Sequence, residues 1–214
     1  MIANVTLAEE RNYIRGKSRR ILGLMMVVAL LLSACTGFLA NNEYQFQGSV
    51  IEPALPASNF ELIDQNGEKF VLSEQKGNVV LLFFGYTNCP DVCPITLANY
   101  VNIIKQIGET VDQARFVFIT TDPERDTVGQ IKNHLAKFDP MIIGLTGDLS
   151  TLESVWKDYS VSRDVSKQDN HGDVEIAHTS RIYVLDKSGN LRLTFPYGFS
   201  VDDMVQDIER LINE

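Results

Sequence analysis

Two cysteines four residues apart, Cys89 and Cys93, lie in Gly85-Tyr86-Thr87-Asn88-Cys89-Pro90-Asp91-Val92-Cys93-Pro94, directly after the apolar run Val79–Phe84. A strand feeding a turn with two thiols, followed by a helix, is a setting for thiolate chemistry: metal capture, disulfide exchange, or both. Pro94 limits the geometry. It has no N–H for the helical ladder, so it belongs in the first turn, and the helix begins at Asp91 or later. Cys93 is then at the N-terminal end, where free N–H groups and the macrodipole favour a thiolate. A helix-like turn puts the two Cα atoms about 6 Å apart, within reach of a disulfide. Turned inward, the same sulfurs can share one metal ion.

Two sulfurs leave a metal under-coordinated, and the chain has three histidines to complete the set. His134 falls mid-helix between Asn133 and Leu135 and reads as a surface residue. His171, in Gln168-Asp169-Asn170-His171-Gly172-Asp173, reads as a solvated loop residue. His178 follows Ile176-Ala177 and precedes Thr179-Ser180 and the strand Arg181–Leu185. A lone histidine at a strand entry is structural or solvated by default. Here fold position argues otherwise, because the segment entering that strand is expected to pack against the cysteine turn. Two thiolates and an imidazole form a soft, low-coordinate donor set. It suits Cu(I), and with modest change Cu(II), better than hard cations, whereas zinc ordinarily takes four ligands or three plus water.

The elements that must position these residues alternate along the chain. Residues 36–58 read as a tether and lead-in broken by Asn41, Asn42, Pro53 and Pro56. Phe60–Ile63 and Lys69–Leu72 flank Asn66-Gly67, a hairpin turn signal. Val79–Phe84 is expected to be a central strand covered on both faces. Ile95–Ile107 carries Leu97, Val101 and Ile104 at helical spacing, with Ile103 and Ile107 adjoining. Phe116–Thr121 is a second buried strand, and Asp126 or Thr127 caps a helix through Phe138. Ile142–Thr146 is a short strand and Leu149–Tyr159 a further helix. After a polar loop come strands Arg181–Leu185 and Leu191–Phe195, then an amphipathic helix, Val201–Ile212. Strand–helix alternation gives an α/β class. The terminal ββα after a parallel βαβ narrows it to a thioredoxin-like fold: a central mixed sheet flanked by helices, with an added N-terminal β-hairpin. Phe83, Phe84, Phe116, Phe118 and Trp156 read as core packing. Tyr86 and Tyr197 are candidates to line the site.

Phe84-Gly85-Tyr86-Thr87-x-Cys89-Pro90-Asp91-Val92-Cys93-Pro94 resembles the signature of the Sco (SenC) family. So do Thr121-Asp122-Pro123-Glu124-Arg125-Asp126-Thr127, Gly144-Leu145-Thr146-Gly147 and the histidine segment Ile176-Ala177-His178-Thr179-Ser180. The resemblance runs from about Phe46 to the C-terminus. Ala177 departs from it, since many members carry a polar or acidic residue before the histidine. The resemblance implies a membrane-tethered copper protein that assembles the binuclear copper site of cytochrome c oxidase. Cys89, Cys93 and His178 would be the copper ligands and Asp122 a supporting carboxylate beside them. Arg125 and Asp126 read more simply as a loop ion pair and a helix cap.

The first forty residues say where this chemistry takes place. Arg11, Arg15, Lys17, Arg19 and Arg20 precede the apolar stretch from Ile21 to Leu32, and Leu32-Ser33-Ala34-Cys35 follows. This resembles a lipoprotein signal (residues 1–34) cleaved before Cys35, which would then carry the lipid. The alternative is a single uncleaved transmembrane anchor across residues 21–40. Either places the domain, residues 59–214, on the extracytoplasmic face of a bacterial membrane, an oxidising setting. Five of the 19 basic and two of the 28 acidic side chains precede Cys35, leaving a formal charge of −12 on the remainder. That argues against nucleic acid as a partner.

Copper assembly, with the oxidase copper-site subunit and other copper chaperones or thiol reductants as partners, is the leading expectation. A thiol–disulfide oxidoreductase acting on one extracytoplasmic partner is the second, and a peroxiredoxin-like peroxidase a distant third. Typical thioredoxin oxidoreductases have two residues between their cysteines and a cis-proline facing them. Here three intervene, and no proline lies between Pro140 and Pro196.

Overall fold

A computed structural model describes residues 44–168, 174–178 and 180–214. In chain order they form β1 (Ser49–Pro56), β2 (Glu61–Asp64), β3 (Lys69–Val71), β4 (Val79–Gly85), α1 (Val92–Ile107), β5 (Ala114–Thr120) and α2 (Val128–Leu135). Then come β6 (Ile142–Thr146), α3 (Leu149–Asp158), β7 (Arg163–Gln168), β8 (Val174–His178), β9 (Arg181–Leu185), β10 (Asn190–Pro196) and α4 (Val201–Asn213).

Eight strands make one mixed sheet in the order β1-β10-β9-β4-β5-β6-β2-β3. β4 runs parallel to β5 and β5 to β6, and the other pairings are antiparallel. All seven residues of β4 are buried, as its uninterrupted apolar run demands of a central strand. Its side chains alternate between two cores. Val79, Leu81 and Phe83 join Leu97, Ile103, Ile131 and Met204 from α1, α2 and α4. Val80, Leu82 and Phe84 join Phe60 just before β2, Leu72 in the short turn after β3, and Leu152 and Trp156 from α3. This is the thioredoxin-like arrangement, with the β2–β3 hairpin added beside β6.

Three expectations need correction. Residues 49–56, expected to be irregular lead-in, form edge strand β1, paired to β10. Its register breaks between Val50 and Leu55, and that irregular stretch holds Pro53, where a proline breaks no ladder. The polar loop before Arg181 contains a second, two-stranded sheet, β7–β8. Helix α2 stops at Leu135 rather than Phe138. There the Lys137 and Phe138 amides donate to the carbonyls of His134 and Leu135, tightening the last turn. Among the described residues no helix is long and apolar enough to cross a membrane. Cys35 and the leader lie outside the described residues, as does His171.

Candidate dithiol and metal centre

The site lies at the C-terminal edge of parallel strands β4 and β5. β4 ends at Gly85, and the chain turns through Tyr86–Cys89, closed by the Cys89 amide donating to the Tyr86 carbonyl at 3.2 Å. Helix α1 then starts at Val92 with Pro94 in its first turn, as proline's geometry requires. Neither cysteine is in a disulfide.

The two sulfurs differ. Cys93 is fully buried, packed so tightly against Gly85 that a Cβ there would come within 2.9 Å of its Sγ. Cys89 is half-buried and accepts a hydrogen bond from the Cys93 backbone N–H at 3.4 Å. The expectation of a thiolate at Cys93 is therefore corrected. The helix N-terminus does favour negative charge on sulfur, but its N–H is aimed at Cys89. The Cys93 thiol is instead driven far upward, first by its hydrogen bond with Cys89 and then by burial. A metal or a disulfide must displace that proton.

The loop after β5 packs against this turn. The Thr121 amide donates to the Gly85 carbonyl at 2.7 Å, and the Thr121 hydroxyl to the same oxygen at 3.2 Å. Asp122 is 3% exposed. Burial raises its pKa, opposed by the Arg125 guanidinium with which it pairs. Arg125 also lies 6.0 Å from the centroid of the buried Tyr86 ring, so this ion pair rests on the cysteine turn. Tyr197 is exposed.

Among the described residues Asp126 is neither a cap nor half of an ion pair. Thr127 caps α2. The Asp126 carboxylate is fully buried and accepts from the Thr87 N–H at 3.0 Å, the Thr87 hydroxyl at 2.5 Å and the Thr120 hydroxyl at 2.6 Å.

His178 ends β8, and its backbone is paired in register with Arg163 on β7; its side chain lies outside the described residues. Arg163 reaches back to the β5 loop. Its Nε donates to the Thr121 carbonyl at 2.6 Å, its Nη2 pairs with Glu124 at 2.9 Å, and its guanidinium lies 5.3 Å from the Trp156 ring centroid. The Trp156 indole in turn donates to the Thr120 carbonyl at 3.1 Å. One loop thus contacts both the cysteine turn and the first strand of the histidine hairpin. Among the described residues no group of three Cys, His, Asp or Glu side chains is arranged to hold a metal. The dithiol supplies soft donors that fit Cu(I) better than a hard cation.

His134 is not the surface residue expected of it. Its ring packs 5.5 Å from Phe138 and 6.4 Å from Phe118, and its Nε2 is buried with no hydrogen-bond partner among the described residues. Burial, then the Lys137 charge, lowers its pKa. Thr87 and Arg163 were missed by sequence reasoning. Thr87 offered only its place two residues before Cys89, and Arg163 gave no signal.

The SCO1/SenC family model matches residues 49–213. The SCO2-like protein of Rickettsia felis is 39% identical over 132 residues, spanning 61% of this chain and 64% of that protein's own length. ScoI of Bradyrhizobium japonicum, solved with copper bound, is 36% identical. It superposes with a TM-score of 0.67 over 72% of this chain and 98% of that one. A SCO1/SenC family lipoprotein from Bacillus anthracis is 25% identical, with a TM-score of 0.64 over 75% of this chain and 98% of that one. With the family's pattern extending from β1 to the last turn of α4, the chain belongs to the SCO1/SenC family.

Proposed function

We propose that this chain is a membrane-tethered copper-binding protein that delivers copper to, or prepares, the binuclear copper site of cytochrome c oxidase. The observation that carries the reading is the Cys89–Cys93 dithiol at the sheet edge, one residue half-buried and one fully buried, in a fold shared with a copper-bound relative. Copper is cargo, held by Cys89 and Cys93 with His178 as third ligand and Asp122 beside them. Residues 1–34 act as a lipoprotein signal, Cys35 carries the lipid, and the segment after it holds the domain at the outer face of the membrane. The lipoprotein relative from Bacillus anthracis supports that anchoring.

The test is an anaerobic Cu(I) titration of the reduced chain lacking residues 1–35, in competition with a chelator, beside His178→Ala. Tight one-to-one binding is expected, weakened at least tenfold in the variant. Weak binding, or binding indifferent to His178, would move the function to the second reading.

That second reading, a thiol–disulfide oxidoreductase for one partner, is favoured by the inequality of the two sulfurs. Cys89 would attack a partner disulfide, releasing one partner thiol and forming a mixed disulfide. Cys93, giving up its proton, would then attack Cys89 and release the second. Two electrons pass to the partner and the pair ends as a disulfide. Redox activity that survives loss of His178 would support it.

A further inference from the structure

We propose that Asp126 is the positioning residue of the dithiol, acting through Thr87 to hold the turn that carries Cys89 in the one geometry that brings its sulfur over the Cys93 amide. The proposal rests on hydrogen bonds, not on charge. Thr87 is the second residue of the Tyr86–Cys89 turn. Asp126 takes both donors Thr87 offers, the N–H at 3.0 Å and the hydroxyl at 2.5 Å. The oxygen that accepts the Thr87 N–H, Oδ2, also takes the Thr120 hydroxyl at 2.6 Å, at the last residue of β5. Thr120 Oγ1 itself accepts from the Asp122 amide at 2.9 Å, so a continuous chain of hydrogen bonds runs from the cysteine turn to Asp122.

Asp126 is anchored independently of the cysteines. Its amide donates to the Asp122 carbonyl at 2.8 Å, and its carbonyl accepts from the Thr146 hydroxyl on β6 at 3.1 Å. A carboxylate with no exposed surface, fixed by two strand ends and gripping a loop, transmits the rigidity of the sheet to that loop. Freed from Asp126, Cys89 would sample positions away from Cys93, and the effective concentration of one thiol at the other would fall. Both disulfide formation and shared metal binding depend on that concentration.

The experiment uses the full-length chain carrying Cys35→Ser, so that only the Cys89–Cys93 pair titrates. The variants are Thr87→Val, which deletes the hydroxyl bond; Thr87→Ser, which keeps it; Asp126→Asn; and Tyr159→Phe, which removes a hydroxyl hydrogen bond, to the Ser58 carbonyl at 3.0 Å, that is no part of the Asp126 network. The first readout is the dithiol–disulfide equilibrium in glutathione buffers, with no metal present. The second is Cu(I) affinity, and the third is thermal unfolding.

Thr87→Val is expected to shift the equilibrium about tenfold toward the dithiol, a rise of about 30 mV in reduction potential. Cu(I) should bind correspondingly more weakly, Thr87→Ser should restore both, and Tyr159→Phe should lower the unfolding temperature while changing neither. If Asp126→Asn does not fold, Thr87→Val decides alone. The proposal is overturned if Thr87→Val and Asp126→Asn lose stability only, or if Tyr159→Phe shifts the equilibrium as much as Thr87→Val. The copper arm rests on the copper reading above. Should the unsubstituted chain fail to bind Cu(I), that reading falls and the metal-free equilibrium still tests Asp126.

Discussion

His134 shows how a single residue can change meaning between sequence and structure. Its neighbours Asn133 and Leu135 gave no hint of burial, because an eight-residue helix with two buried positions has little periodicity to read. What the sequence could not show is that Phe118 and Phe138 close over the ring. The consequence is measurable. The folded protein holds this imidazole's pKa below the ordinary value of about 6.5, so below that pH the unfolded chain binds more protons than the folded one. Stability contributed by the neutral ring is therefore present at neutral pH and lost as pH falls through 6.5 toward the folded pKa. Lys137 adds to the depression, while Asp126 and Cys89 oppose it. His134→Phe keeps the aromatic packing and removes the titration. Its urea midpoint is expected to fall less between pH 7 and pH 5 than that of the parent chain. Equal losses in both would show that the ring's burial is relieved at little cost. The cysteines, by contrast, were legible at this scale, since spacing and Pro94 alone placed Cys93 in the first turn of α1. Which sulfur the helix serves was not, because that depends on the direction of one N–H.

At the scale of elements, the main sheet was readable because its strands are apolar runs or clean alternations, and its helices are amphipathic. The β7–β8 hairpin was not, because it pairs only with itself and carries charge where a core strand would carry apolar side chains. Such a ribbon is marginal alone and must be fastened from outside. Within the described residues Arg163 provides that fastening, with one guanidinium hydrogen-bonded to Thr121, paired with Glu124 and laid over Trp156. Because Arg163 is in register with His178, releasing it loosens the strand that carries the proposed ligand. Arg163→Met keeps length and apolar contact with the ring but loses the hydrogen bonds. Amide exchange in residues 163–168 and 174–178 is expected to rise about tenfold, equivalent to about 1.4 kcal/mol of local stability. Exchange in β4 and β5 should not change. Trp156 is the sole tryptophan, so its emission reports the same event without a label. Unaltered exchange in the hairpin would mean that other contacts hold it.

For the whole molecule, the question is where the folded unit begins. The sequence placed its start near residue 59, because Pro53 and Pro56 read as breakers. The structure extends the sheet back through β1, and a second device fixes the segment before it. Asp207 on α4 has no exposed surface, and its carboxylate accepts from the backbone amides of Gln47 at 3.0 Å and Gly48 at 2.8 Å. Cutting the chain at residue 59 removes those donors and bares β10 as an edge. The buried carboxylate loses both amide donors, at a cost of about 3 kcal/mol or more. For a domain of this size that corresponds to a drop of about 10 °C in unfolding temperature, and an exposed β10 invites pairing between chains. A chain beginning at Phe46 should therefore unfold cooperatively and remain monomeric, whereas one beginning at Asn59 should melt about 10 °C lower or aggregate. Asp207→Asn in the longer chain separates the two causes, since it weakens the amide contacts while leaving β1 paired. If the shorter chain matches the longer in both temperature and solubility, β1 contributes nothing to stability, and the functional unit is the smaller one that the sequence suggested.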